Sequence, residues 1–338
     1  MSIKKILAAL LVGVMAIGLT ACGPSSTMQA SASPSGEETS EAPSSPNKQI
    51  KIAYIVKAKT DAFWTDMEKG SDDYAKEKGI EVDFQAPAKE TDVEQQVNMV
   101  SNAVVKGYNA IILSAADSKA LIPAIVQANK ANIPVILVND TIDNDALEQA
   151  GGKVETYVGI DQSEAASLAG KYAAEHIKDG KIAYLEGISG VAAHADRLNG
   201  FKGQCSAFQV IASQTAKCDR NEAFNVMQNI LSAHPDVNVV WAINAEMGQG
   251  ALQAIEQGGF KGKVSVFDFD ASPDDVAAIE AGTLTGTVAQ YPNLQAKGAI
   301  QACLDVLDGK KLESHTKTPA ALVTKDNVAD FKAGKDIT

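Results

Sequence analysis

At 338 residues, with 45% hydrophobic and 21% charged side chains, the chain is long enough for one large or two medium domains and has the make-up of a globular α/β protein. Its formal charge of −12 excludes a nucleic-acid surface, which needs a basic patch, and a body that clings to anionic lipid by charge. Four cysteines and four scattered histidines show no ligand spacing, so neither a metal nor another cofactor is expected.

Met1 to Cys22 reads as a targeting segment: Lys4 and Lys5 give the positive start, Ile6 to Gly18 the apolar middle, and Leu19-Thr20-Ala21-Cys22 the end. The apolar middle is too short to span a bilayer core of about 30 Å as a lasting helix. Leu-Thr-Ala-Cys has the form of a bacterial lipobox, which implies removal of residues 1–21 as a lipoprotein signal peptide and lipidation of Cys22. The plainer alternative is an ordinary signal peptide with a chance cysteine. Loss of Lys4 and Lys5, with no acid before Cys22, takes the charge from −12 to −14. Residues 22–49 are rich in Ser, Pro, Ala and Glu without apolar periodicity, so they cannot bury enough surface to offset the cost of ordering. They predict a disordered tether that holds a folded body close to a membrane.

The body alternates strand and helix patterns almost without exception, the mark of a doubly wound parallel sheet. The first strand, Ile50–Val56, runs into Lys57-Ala58-Lys59-Thr60-Asp61-Ala62-Phe63-Trp64, followed by a helix over Phe63–Lys78. Such a turn lies at the carboxyl edge of the sheet, where open α/β folds bind ligands. Two aromatics beside a lysine and a carboxylate suit a sugar, with its C–H faces and rim of hydroxyls. Asp61 also makes sense as a helix cap, and Phe63 as core. Strands follow at Ile80–Gln85, Ala110–Ser114 and Pro134–Val138, with helices at Val93–Lys106 and Ser118–Ala131 between them. Lys106-Gly107 and Asn132-Ile133-Pro134 stop those two helices. Asp140 to Thr156 is expected to be a polar loop.

A second alternation opens at Tyr157–Asp161 and the small-residue helix Gln162–Ile177. Strands are predicted at Lys181–Leu185, Gln209–Ser213, Asn238–Ile243, Val264–Phe267 and Leu284–Gln290. Helices are predicted at Ala192–Cys205, Glu222–Ala233, Glu246–Gln257 and Pro273–Ala281, then at Leu294–Leu307 before a last strand near Ala320–Thr324. Two similar halves, with the segment after Gln290 free to return to the first, make two lobes around a cleft. Cys205 and Cys218 flank one strand, which sets their sulfurs at opposite ends and disfavours a disulfide. With Cys22 taken by lipid, the remaining cysteines are odd in number and at least one is free. The strand ends collect Lys57, Asn139-Asp140, Asn244, Asp268 and Asp270, and Gln290. Any one of these suits a cap or a turn. Five occupied ends beside Phe63 and Trp64 favour a ligand cleft.

Lys57 to Met67, Ile133-Pro134-Val135, Val210 to Gln214, Asn225 to Asn229 with His234-Pro235-Asp236, Phe269-Asp270 and Thr287 to Gln290 carry a resemblance. They are similar to the pentose- and hexose-binding proteins of bacterial ABC transporters, the ribose and allose type, and the likeness covers essentially Ile50 to the C-terminus. The opening turn, and Asp140-Thr141-Ile142-Asp143 with Ala150 to Val154, look closer to the allose type. The resemblance implies an α/β fold of two doubly wound parallel-sheet lobes joined by a three-crossing hinge, the venus-flytrap form of type 1 periplasmic binding proteins. Crossings near Ile160, Gln290 and Ala320 would make residues 50–160 plus 291–320 the N-terminal lobe and 161–290 plus 321–338 the C-terminal lobe. The implied protein is a monomer, periplasmic or on the outer cell surface. It takes a monosaccharide (a pentose, hexose or related polyol) by lobe closure and delivers it to the permease and ATPase of an importer. Carried over by position, Lys57, Asp61, Phe63, Trp64, Asn139, Asp140, Asn244, Asp270 and Gln290 occupy ligand positions.

The departures matter. Asp61 stands where the family usually has Asn, Asn139 where it has Asp, and Cys218 where an aromatic ring often closes over the sugar. Ala195 takes the ribose-type arginine position, with His194, Asp196 and Arg197 beside it. Arg197 is the chosen cleft arginine, an ion pair with Asp196 or another acid being the alternative. Losing a stacking ring removes about 0.5–1.5 kcal/mol of aromatic contact. An enzyme is not expected: Gly187-Ile188-Ser189-Gly190 lacks nucleophile-elbow spacing, and only His194, near Asp196, has an evident partner. A transcriptional regulator of this fold needs a DNA-binding module, and an export signal with an acidic tether stands in its place. A sugar sensor that docks on a membrane receptor differs from the transport reading only in its readout.

Overall fold

The computed structural model describes residues 49–338. The expected signal segment, Cys22 and all but the last residue of the expected tether lie outside the described residues.

Ile52, Ala53, Tyr54 and Ile55 are all buried in β1 (Lys51–Ile55), as a strand covered on both faces requires. α1 (Ala62–Lys78) starts where the Asp61 carboxylate accepts from the Trp64 N–H and stops at Gly79, whose φ of 66° suits a residue without Cβ. β2 (Glu81–Gln85), α2 (Val93–Lys106), β3 (Ala110–Leu113), α3 (Ile122–Lys130), β4 (Val135–Val138), α4 (Asn144–Gln149) and β5 (Thr156–Gly159) continue the alternation. These strands are parallel, in the order β2-β1-β3-β4-β5.

The second sheet repeats the plan. α5 (Gln162–His176), β6 (Lys181–Glu186), α6 (Ala192–Gln204), β7 (Gln209–Thr215), α7 (Arg220–Ala233), β8 (Val239–Ala242), α8 (Ala245–Gln257), β9 (Ser265–Phe269), α9 (Pro273–Ala281) and β10 (Gly286–Gln290) form it, in the order β7-β6-β8-β9-β10. The chain then returns: α10 (Pro292–Leu307) packs on α1, β3, β4 and β5, and β11 (His315–Lys317) adds to the first sheet beside β5. β12 (Ala320–Thr324) closes the second sheet antiparallel to β10, and α11 (Val328–Lys332) follows. The chain thus passes between sheets after β5, after β10 and at Thr318-Pro319. Every β-to-α turn that follows a parallel strand opens toward the space between the two sheets.

Local signals account for most differences from expectation. The stretch expected as a polar loop contains α4, capped by Asp143, whose carboxylate accepts from the Ala146 N–H. α3 starts at Ile122 rather than Ser118; before it Asp117 Oδ1 accepts from the Lys119 and Ala120 N–H groups in a turn, and the Ser118 N–H donates to the Gly190 carbonyl of the other lobe at 2.9 Å. β11 and α11 were not foreseen, being three and five residues long. Ala320, expected to close the first lobe, pairs with Gln290 in the second sheet. Cys205, Cys218 and Cys303 are all free thiols.

Candidate ligand-binding site

The wall of the first lobe is built on the turns after β1, β2 and β4. Lys57 follows β1 and is buried, with its Nζ 3.2 Å from Asp140 and 3.6 Å from Glu90 Oε2. Burial alone would lower the lysine pKa, but the Asp140 and Glu90 carboxylates outweigh it and hold it above its usual value. Asp140 is fully buried and also accepts from Ser114 Oγ at 2.6 Å. Trp64 is 3% exposed; its Nε1–H donates to Glu90 Oε1 at 3.1 Å, and Phe63 meets its ring edge-on at 4.8 Å. Asp61 sits at the head of α1, and its pKa is pushed up to about 7 by burial first, then by Glu90 and Asp270.

In the second lobe Arg197 is buried on α6. Its Nε donates to Gln162 Oε1 at 2.8 Å, its Nη1 donates to the Ile243 carbonyl at 2.9 Å, and its guanidinium lies 3.9 Å from the Phe269 ring centroid. Its ion-pair partner is Asp270, at 3.7 Å, not the exposed neighbour Asp196. Asn244 caps α8, its side-chain oxygen accepting from the Met247 N–H. His194 turns away from Asp196: its Nδ1 lies 3.0 Å from the Ile188 nitrogen and 3.3 Å from the Ile188 carbonyl oxygen. Nε2 lies 3.4 Å from Lys57 Nζ and 3.7 Å from Cys218 Sγ. Burial, then Lys57 and Arg197, hold His194 well below its usual pKa, so it is neutral at pH 7. Burial and the Glu90 carboxylate raise the Cys218 thiol, which stays protonated.

A chain of hydrogen bonds joins the walls at the hinge. Asn139 Nδ2 donates to Gln290 Oε1 (3.0 Å), Gln290 Nε2 to Asp270 Oδ1 (2.7 Å), and Gln162 Nε2 back to the Asn139 carbonyl (2.8 Å). Two of its members have left-handed backbone, Asn139 with φ 61° and Asp270 with φ 94°, a conformation that costs energy outside glycine. Such strain is kept where a side chain must be aimed.

Nine of the ten ligand residues expected from sequence line one cavity of about 20 Å³: Lys57, Asp61, Phe63, Trp64, Asn139, Arg197, Asn244, Asp270 and Gln290. Asp140 is the exception. It lies behind Lys57, where it holds the ammonium in place instead of facing the cavity. Glu90, His194 and Cys218 complete the lining. Sequence reasoning missed Glu90, although it follows β2 as Lys57 follows β1, and named His194 and Cys218 only as departures. Glu90, His194 and Cys218 also lie within 4.8 Å of one another, a spacing near that of metal ligands. The Lys57 ammonium already fills the cationic place beside them. The arrangement is a polar, two-walled cleft with an aromatic patch on one side, whose charged and amide groups suit hydroxyls; at this lobe separation its free volume is about that of a water molecule.

The comparisons agree with that geometry. The model of the periplasmic binding protein domain matches residues 52–311. The ribose import binding protein of Bacillus subtilis is 33% identical over 91% of this chain and 95% of its own length. The chain belongs to the periplasmic binding protein family. Within it, the D-allose-binding periplasmic protein of Escherichia coli is 33% identical over 71% of this chain and 79% of its own length. Among solved structures, a periplasmic solute-binding protein of an Actinobacillus succinogenes ABC transporter with bound D-allose superposes with a TM-score of 0.79. It is 33% identical and covers 83% of this chain and 100% of its own. One from Agrobacterium vitis with bound D-fucose has a TM-score of 0.80 at 29% identity, covering 85% of this chain and 100% of its own. As a periplasmic binding protein the chain has two parallel-sheet α/β lobes, and no helix among the described residues is long and apolar enough to cross a membrane.

Proposed function

We propose that this protein is a non-enzymatic, extracytoplasmic sugar receptor, anchored to the membrane through lipid on Cys22, that captures a monosaccharide by lobe closure and passes it to the permease and ATPase of an ABC importer. Residues 50–160 plus 291–319 form one jaw, and residues 161–290 plus 320–338 the other. The observation that carries the reading is a cavity lined from both lobes by charged and amide side chains beside Phe63 and Trp64. Neither wall alone holds enough polar groups to replace the water around every hydroxyl of a sugar. The full set of contacts exists only when the jaws meet, so a sugar favours the closed form and a transporter can read it. Relatives whose names record ribose, D-allose and D-fucose support the ligand class. A thermal-shift panel of aldoses, ketoses and polyols tests it, since a ligand of the folded state raises the melt by mass action. We expect a micromolar Kd, about −8 kcal/mol, together with a smaller radius of gyration at saturation and recovery of the sugar unchanged. A panel without a shift, while an amino acid or peptide gives one, overturns the class. A fixed radius at saturation overturns closure.

A further inference from the structure

The two jaws meet inside the cleft at a side chain that can change charge. Lys57 follows β1 in the first lobe and His194 lies on the first turn of α6 in the second, yet Lys57 Nζ is 3.4 Å from His194 Nε2. The imidazole is 7% exposed and is hemmed in on its other edge. Its Nδ1 faces the Ile188 main chain, and a Cβ at Gly187 would strike both Nδ1 and the Ile243 side chain. The ring therefore packs against bare backbone and has no room to swing away from Lys57.

The charges around the ring suit only its neutral form. Lys57 and Arg197, the latter one turn further along α6, are both positive. The acid beside it, Glu90 from the turn after β2, is within 4.8 Å but already serves Lys57 and the Trp64 Nε1–H. Asp140 lies behind Lys57, Asp270 is paired with Arg197, and Asp196 on α6 itself is exposed. Cys218, from the turn after β7, stays a neutral thiol. A neutral imidazole always has one nitrogen free to accept a hydrogen bond from Lys57 or from the Ile188 N–H. An imidazolium has none, and it sets its Nε2 proton and its charge against the Lys57 ammonium where little water can screen them.

We propose, resting on the reading of sugar capture by lobe closure, that His194 makes capture proton-sensitive: a proton on its imidazole holds the lobes apart, so sugar is kept at neutral pH and released in acid. In the closed cleft burial first, then Lys57 and Arg197, hold the ring well below its usual pKa of 6.5. In an open cleft the ring gains water and loses Lys57, and its pKa returns toward the usual value. The closed form therefore binds fewer protons than the open form in acid. Closure is fully favoured above about pH 6.5 and is weakened by up to about tenfold for each pH unit below it, until the closed-form pKa is reached. A sugar parts Lys57 from the ring but keeps water away, and burial is the largest of the three causes.

The test is calorimetric titration at pH 7.0 and pH 5.0 on the native protein and on His194→Gln, with ribose, D-allose, D-fucose and the other members of the aldose, ketose and polyol panel that bind at pH 7.0. Asp61, pushed up to about 7, changes charge over the same range in both proteins, so the quantity read is the loss of affinity on acidification in one relative to the other. Native protein should lose about tenfold or more beyond the loss in His194→Gln, whatever affinity the variant has at pH 7.0. Equal losses overturn the proposal and leave the sugar-binding reading standing. The His194 imidazole signal in NMR spectra of sugar-saturated native protein is a readout that needs no variant. It should stay that of a neutral ring down to about pH 5, and a ring that takes up its proton near 6.5 with sugar bound overturns the proposal. If no member of the panel binds at pH 7.0, the sugar-binding reading falls and the proton switch with it.

Discussion

In the first lobe the cleft wall is held by side-chain ion pairs, Lys57 between Asp140 and Glu90, and every group in that chain of contacts is titratable. In the second lobe Arg197 is held by an amide, a main-chain carbonyl and the face of Phe269. The cores behind the walls differ in the same sense. The second lobe has one continuous core rich in stacked rings, with Phe201 and Trp241 4.4 Å apart and Phe269 edge-on to Trp241. The core of the first lobe is split between the two faces of its sheet, Ala53 and Ile55 on one, Ile52 and Tyr54 on the other. Its packing is mostly aliphatic. Arg197 is therefore positioned largely by neutral groups, with Asp270 at 3.7 Å as its ion-pair partner, whereas Lys57 is positioned by two carboxylates. The second lobe is the fixed jaw in this chemical sense, and the first is the one that responds to substitution.

The sharpest way to break the comparison is Lys57→Met. It strands Asp140, at 0% exposure, with Ser114 as its remaining side-chain partner, a loss of about 3–5 kcal/mol in a denaturant melt. Lys57→Met with Asp140→Asn should recover most of it. A native-like melt of the single variant would show that ion pairs do not hold this wall. Trp64→Ala comes next. The ring is in the core of the first lobe as well as in the cavity, so both stability, by about 3–5 kcal/mol, and sugar binding should fall together. Trp64→Phe separates the two roles, keeping ring packing but releasing Glu90 Oε1 from its hydrogen bond.

The second lobe has its own titratable weak point, away from the wall. Asp268 is fully buried on β9 and neither carboxylate oxygen finds a hydrogen-bond partner among the described residues; any side chain at Gly248 would collide with it. Burial first, then Asp275, raise its pKa well above the usual carboxylate value. The folded state thus holds a proton that the unfolded chain releases above about pH 4. Its penalty is absent below that pH and grows by about 1.4 kcal/mol for each pH unit climbed toward the folded pKa. Asp268→Asn should lose less stability than native protein between pH 4 and pH 8, and equal slopes in pH-dependent melts would refute this. The smallest effect is expected at Gly190→Ala. Gly190 has φ 94°, its carbonyl accepts the Ser118 N–H across the mouth of the cleft, and a Cβ there would strike Asp117. Alanine at this φ is strained wherever the jaws stand, so the ligand-free melt should fall by about 1–2 kcal/mol, and the clash with Asp117 should weaken sugar affinity besides. Unchanged affinity would mean that this contact plays no part in closure.

What sequence alone decided is local. Strand-to-helix alternation, the glycine stops at Gly79 and Gly107, and the Asp61 cap are written within a few residues of where they act, so the lobes and most strand-end site residues were legible. Lys57, Asp61, Trp64, Asn139 and Gln290 could be named because a polar residue just past a buried strand has few places to go except the carboxyl edge of the sheet. The roles that only tertiary structure decided join residues far apart in the chain. Asp140 follows its strand as Lys57 does, yet it ends behind the wall, because the ammonium in front of it, 83 positions away, needs a buried partner. Arg197 is expected as the cleft arginine and lines the cavity, but its partner is set by the fold: α6 exposes Asp196 and buries the arginine, which meets Asp270 and the Phe269 ring. Glu90, His194 and Cys218 carry no pattern of their own. They converge because two separately wound sheets place their strand ends face to face, and the distance between facing walls is a property of lobe packing that no periodicity encodes.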